Sequence, residues 1–219
     1  MITAAKAYRG MGMEGSVARW YDRTTRKDMP EFQALAARIA ALVPARGAVL
    51  EVAPGPGFLS IELAKRGFEV SAVDISKTFV DLARHNAAAA AAAVRFEVGN
   101  AAALPVPDAS QDFVVCRAAF KNFAEPVEAL REMRRVLRPG GSALLIDLRR
   151  DASVAEIRRY VDGLGVSWLN RVFMMVTFRA MLIKRAYPID DIRRMTAQAG
   201  WIDARIDLSP IGFEAWTTK

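Results

Sequence analysis

The sequence predicts an α/β fold: a doubly wound, mostly parallel seven-stranded sheet with an antiparallel C-terminal hairpin and a helical cap insertion. Three observations predict it. Five short β-rich runs alternate with longer helical ones, the rhythm of β–α–β units. Those runs are almost continuously apolar, as strands covered on both faces must be. The last two runs, residues 202–207 and 212–217, are separated by a short link and read as a hairpin on the sheet edge.

Each element has a local reason. Residues 1–28 precede the first predicted helix and hold Tyr8, Trp20 and Tyr21, so they are expected to act as a lid segment. In the helix 30–43, Pro30 suits the first turn and Phe32, Leu35, Ala36, Ile39 and Val43 share a face. The first strand, 48–53, ends in Pro54-Gly55-Pro56-Gly57. Helix 58–66 is closed by Gly67, and strand 68–74 is followed by Ser76 as the cap of a helix that runs on into the alanine tract 87–93. Strands 94–98 and 112–117 come next. Helix 125–137 carries Val127, Leu130, Met133 and Leu137 inward, Arg138-Pro139-Gly140-Gly141 stops it, and 142–148 is the fifth strand. Residues 149–188 are too long for an ordinary connection and read as a cap insertion of two helices, 153–161 and 168–185. A helix at 190–199 leads into the hairpin. No linker divides the chain, so residues 1–219 are expected to form one domain.

Composition narrows the function. The 219 residues are 53% hydrophobic, with 31 Lys and Arg against 24 Asp and Glu, a formal charge of +7. One Cys (Cys116) and one His (His85) exclude disulfide frameworks, cysteine-cluster metal sites and zinc hydrolases built on several imidazoles, so no metal is expected. The N-terminus lacks the apolar stretch of a signal peptide, and no uncharged run approaches the about 20 residues that span a bilayer. A cytoplasmic location and no stable membrane insertion are the expectation. Cys116, on an apolar strand, is expected to be a buried core thiol, and His85, well along a helix, to be surface or structural.

The glycine turn after the first strand lets a ligand approach the backbone closely. It lacks the third glycine of the dinucleotide fingerprint, where Ser60 stands. Pro54 and Pro56 have no N–H to offer a pyrophosphate. Such a loop suits a ligand without phosphate. Asp74, ending the second strand about twenty residues on, is placed to accept from both hydroxyls of a ribose; the plainer alternative is an Asp preceding a helix N-terminus. After the third strand, the Asn100 carbonyl has the chemistry to accept from an adenine amine and the Ala101 N–H to donate to the ring, unless Gly99-Asn100 is simply a turn.

From residue 49 to residue 148 the chain resembles the class I S-adenosylmethionine-dependent methyltransferases, small-molecule type 11-like, with their Rossmann-like fold. The resemblance rests on Val49-Leu-Glu-Val-Ala-Pro-Gly-Pro-Gly, Val73-Asp-Ile-Ser, Gly99-Asn-Ala with Leu104-Pro-Val-Pro-Asp, and Glu132-Met-Arg-Arg-Val-Leu-Arg-Pro-Gly-Gly. It implies that S-adenosyl-L-methionine is the cofactor and S-adenosyl-L-homocysteine the product. Glu51, Ala53, Gly55 and Gly57 would line the methionine portion, Asp74 the ribose, Asn100 and Ala101 the adenine. Ile75 would pack on the adenine face and backbone near Arg117 would meet the amino-acid end. Two departures stand out: Ala53 replaces the usual first glycine, narrowing the turn, and Asn100 replaces a frequent Asp.

The expected acceptor is a small, apolar or amphiphilic metabolite. The segment after the fourth strand offers Phe120 and Phe123 as contacts and Lys121 and Asn122 as candidates for catalysis. Lys121 has the chemistry to orient an anion, or to act as a base if desolvated; a solvated Lys is the plain alternative. Tyr21 of the lid and Phe173 and Met174 of the cap are further acceptor candidates. The apolar face of 168–185 wants to cover something: an acceptor, the chain's own core, or a second subunit in a homodimer. Other readings remain open. One is methylation of RNA, encouraged by the basic charge though no nucleic-acid module is present. Another is work on a lipid amine at a membrane surface. A third is a non-catalytic binding protein.

Overall fold

The computed structural model describes residues 8–9, 12–164, 168–177 and 183–219, with the side chains of Leu169, Asn170 and Phe173 outside that description. Strands β1 (Ala48–Val52), β2 (Glu69–Asp74), β3 (Val94–Val98), β4 (Gln111–Arg117), β5 (Leu137–Leu148), β6 (Arg205–Leu208) and β7 (Gly212–Thr218) form a seven-stranded sheet of order β3-β2-β1-β4-β5-β7-β6. The first five strands are parallel; β7 lies antiparallel between β5 and β6. Strand order reverses between β1 and β4, which opens a crevice at their carboxyl ends. The strands are apolar throughout because both faces are covered: Val49 and Leu50, neighbours on β1, are both fully buried.

Helices α2 (Met29–Ala40) and α3 (Phe58–Ala64) pack Phe32, Leu35, Ile39, Leu59 and Leu63 against Val49, Phe113 and Val115, and α4 (Lys77–Ala89) covers Ala72 and Phe96 on the same side. On the opposite face, α5 (Pro126–Val136) and α9 (Ile189–Gln198) bring Leu130, Met133, Ile192 and Met195 onto Leu50, Val114 and Leu145. Among the described residues the cap comprises α6 (Val154–Gly163), α7 (Trp168–Thr177) and a single turn, α8 (Ile183–Arg185).

Three expectations change. The first helix is not at residue 30: α1 (Gly15–Thr25) precedes it, and a 3-10 turn at Arg26–Asp28 leads directly into α2. The alanine tract does not stay helical to residue 93. Ala91 turns left-handed (φ 50°), and the Ala91 and Ala92 N–H groups donate to the Ala88 and Ala87 carbonyls, a helix stop normally made with glycine. The Arg138–Gly141 stretch is no separate stop between helix and strand. Leu137 already pairs with Gln111, and the four residues bulge out before Ser142 rejoins Phe113. The single helix expected over 168–185 is described only as α7 and α8, with Phe178 and Met181 outside the described residues.

Candidate functional site

Strand alternation sends Glu51 to the α3 side of the sheet, where the Ser60 hydroxyl donates to its carboxylate. Ser60 thus fills the place of the missing third glycine with a polar contact. Glu51 is buried, and burial pushes its carboxyl up to about 7 against the opposing Ser60 hydrogen bonds and the Arg117 charge. Ala53 stands in the place of the usual first glycine. It takes the left-handed conformation (φ 58°), which costs an alanine about 1 kcal/mol relative to glycine. Its N–H donates to the Val73 carbonyl at 2.8 Å.

Every N–H of the loop has its place. Pro54 and Pro56 have none, Gly55 donates to Asp74 Oδ2 (3.0 Å), and Gly57 donates to the Pro54 carbonyl (3.1 Å). Gly57 (φ 81°) admits no side chain, because a Cβ would stand 2.9 Å from the Ala83 Cβ and the Phe96 ring. Gly55 differs. A Cβ there would meet only the rings of Tyr21 at 3.9 Å and Phe79 at 4.0 Å, so it opens onto a cradle walled by aromatics.

Asp74 is buried at the end of β2, its oxygens accepting from the Gly55 and Ser76 N–H groups. Burial raises its carboxyl above the ordinary value, and those N–H bonds pull the other way. Ile75 beside it is exposed. Asn100 spends its Oδ1 on the Ala102 N–H (3.0 Å), a local turn that leaves that oxygen one lone pair; Ala101 packs against the core. The Arg117 side chain turns to α2, where it pairs with Glu31 at 2.8 Å and lies 4.5 Å over the Phe32 ring, so only its backbone faces the strand ends.

The N-terminal residues cross the crevice. Tyr8 bridges to Phe123 and the Arg9 N–H donates to the Asn122 carbonyl (2.7 Å), while the Arg9 guanidinium contacts Tyr187. On the other bank the Met13 carbonyl accepts from Ser76 (2.7 Å) and the Gly15 N–H donates to Thr78 (3.1 Å). Helix α1 is held by a buried knot. Asn86 donates to Asp22 (2.8 Å) and to the Pro56 carbonyl (3.0 Å), and Arg26 donates to both Asp22 and Asn86. The knot sets Tyr21 edge-on to Phe79, over Gly55.

On the acceptor side, Phe120 and Phe123 lie in the core rather than on an open wall; Phe120 has no exposed surface and packs on Tyr187. Lys121 is not solvated. Its ammonium pairs with Asp147 at 2.8 Å. Asp147, at the end of β5, is the residue sequence reasoning passed over, although an Asp ending an apolar strand is the same signal that marks Asp74. Cys116 is fully buried, and burial raises its thiol well above the ordinary value. His85 is exposed on α4. Met174 packs with Met175 against Ile157 and Val161 of α6; the Phe173 side chain lies outside the described residues. A cavity of about 450 Å³ lies beside the cap, lined by Arg150, Val154, Ile157, Ile183 and Lys184, away from the glycine loop that α1 and the N-terminal residues cover. Among the described residues no helix is long and apolar enough to cross a membrane.

A family model described as "Methyltransferase domain" matches residues 50–145. The chain is 42% identical over 148 residues to a demethylmenaquinone methyltransferase of Deinococcus radiodurans, covering 64% of this chain and 61% of that one. It is 32% identical over 185 residues to a ubiquinone biosynthesis O-methyltransferase of Xanthomonas axonopodis pv. citri, covering 82% of this chain and 72% of the relative. In fold it matches the crystal structure of a candidate S-adenosyl-L-methionine-dependent methyltransferase from Methanococcus maripaludis (TM-score 0.73, 21% identity, 98% and 97% of the two chains). Glycine turn, strand-end carboxylate, sheet order and relatives agree: the chain belongs to the S-adenosyl-L-methionine-dependent methyltransferase family.

Proposed function

We propose that this chain transfers a methyl group to a small apolar or amphiphilic acceptor of the quinol kind, with Glu51, Gly55 and Asp74 holding the cofactor. One observation carries the reading: the loop has no unclaimed N–H for a pyrophosphate, yet keeps an aromatic-walled cradle at Gly55 beside the Asp74 carboxylate. The Asp74 carboxylate keeps acceptor capacity for a ribose hydroxyl beside its bonds to the Gly55 and Ser76 N–H groups. S-adenosyl-L-methionine, when bound, supplies the sulfonium methyl. The protein's part is to hold donor and acceptor in line and to keep water out, which the crossing N-terminal residues and the cap serve. The named activities of the relatives, on demethylmenaquinone and in ubiquinone biosynthesis, favour a quinol acceptor.

Calorimetry tests the cofactor half. S-adenosyl-L-homocysteine is expected to bind and NAD not to. Asp74→Ala should weaken binding by roughly 2–4 kcal/mol, the worth of two charge-assisted hydrogen bonds, without unfolding the chain. Binding of NAD with no response to either sulfur nucleoside would overturn the reading.

A further inference from the structure

We propose that the Lys121 ammonium, held in place by Asp147, is the binding site for an ionised acceptor oxygen, so that the acceptor is a phenol or enol. The proposal deepens the methyltransferase reading above and rests on it.

Asp147 accepts three hydrogen bonds, two of them from Lys121 in the short turn after β4. Its Oδ2 accepts from the Lys121 N–H (2.8 Å), and its Oδ1 accepts from the Lys121 ammonium (2.8 Å) and the Leu148 N–H (2.7 Å). The ammonium also donates to the Ala118 carbonyl at 2.6 Å, which Ala118 presents from a left-handed conformation (φ 60°). The described residues therefore supply acceptors for two of the three ammonium protons. The side chain of Lys121 is 10% exposed and that of Asp147 1%, so a long and ordinarily mobile lysine is fixed in one pose. An ammonium paired in this way donates hydrogen bonds; it has no lone pair with which to remove a proton. A role as base, one of the expectations from sequence, does not fit this geometry.

The surroundings say what the third proton meets. Cys116, at the end of β4, lies within electrostatic reach of Asp147, Glu51, Lys121 and Asp74. Tyr8, whose backbone pairs with Phe123, feels Asp74, Asp147, Tyr21 and Arg185. The pair thus stands at the same strand ends as the cofactor carboxylates, under the N-terminal crossing. Among three carboxylates, an anionic oxygen needs a fixed cation, and Lys121, held by Asp147, supplies one. Asp147 acts through Lys121 and is a positioning residue.

The test uses 4-nitro-1-naphthol, a bicyclic phenol whose ionised form absorbs in the visible, added to the full chain saturated with S-adenosyl-L-homocysteine. Bound to the wild type, the naphthol should ionise at least about one pH unit lower than when bound to Lys121→Met. Lys121→Arg should retain most of that shift, and Asp147→Asn, which removes a competing carboxylate but keeps an acceptor for the lysine, should not reduce it, with S-adenosyl-L-homocysteine affinity unchanged in all three. Should Asp147→Asn fail to fold, the comparison of Lys121→Met with Lys121→Arg decides alone. Equal ionisation on wild type and Lys121→Met, or no naphthol binding by a chain that binds S-adenosyl-L-homocysteine, overturns the proposal and leaves the methyltransferase reading standing. Absence of S-adenosyl-L-homocysteine binding overturns both.

Discussion

Glu51 shows how a single buried group can set the pH response of the fold. Its carboxyl is raised from an ordinary 4.5 to about 7, chiefly by burial. The folded chain therefore holds this proton more tightly than the unfolded one. The stabilisation it brings is fully present below the unfolded value and is lost as pH rises through about 7. The gap corresponds to about 3 kcal/mol, an upper bound for one site. Glu51→Gln keeps an acceptor for Ser60 and removes the titration. The variant should be up to about 3 kcal/mol more stable than the wild type near pH 8 and similar to it at about pH 4.5, by urea unfolding at the two values. Stability curves that run parallel across that range would assign the titration elsewhere. The residue itself was legible as part of the glycine motif. Its protonation was not, because that depends on how completely the fold buries the carboxyl, against the pull of Ser60 and Arg117.

At the scale of elements, the sequence showed most where burial is regular and least where polar contacts do the holding. The strands and the helices α2 to α5 came from apolar runs and 3.6-residue spacing, and Ser76 does cap α4, accepting from the Phe79 N–H at 3.1 Å. Helix α1 was missed because its buried residues are Ala18 and Asp22, too small and too polar to print an apolar stripe. What anchors it is the Asn86 knot. An aspartate at residue 86 would keep an acceptor for Arg26 but lose both donors, leaving the Pro56 carbonyl unpaired and setting a second carboxylate against Asp22. Asn86→Asp should therefore cost roughly 1–3 kcal/mol, felt first in α1. Hydrogen exchange should show amides of Gly15–Thr25 losing protection ahead of the strands. Uniform loss across the sheet would mean that α1 is no separate unit of stability.

Over the whole molecule, the sheet serves as a platform on which two covers meet: α1 with the N-terminal crossing on the cofactor side, and the cap beyond β5. Tyr160 of α6 feels the charges of Glu31, Asp28 and Arg117, so the cap reaches back across the strand ends toward α2. Helix α7 is tied to α6 by the Arg171–Asp162 pair at 2.8 Å and turns Met174 and Met175 inward. Its other face presents Trp168, Val172 and Val176, four residues apart and more than half exposed. An apolar row of this kind contributes little to folding, since exposed side chains rarely change stability by more than about 0.5 kcal/mol each. The row is expected to act by covering an acceptor. Replacing Trp168, Val172 and Val176 together by Ser, Thr and Thr should leave the melting temperature and S-adenosyl-L-homocysteine affinity nearly unchanged. The same variant should weaken binding of a 2-alkyl-1,4-naphthoquinol by about tenfold or more, a loss of roughly 1.4 kcal/mol. A sharp fall in melting temperature would instead place the row in the chain's own core. A change of mass by light scattering, with quinol binding intact, would make it a seam between two copies.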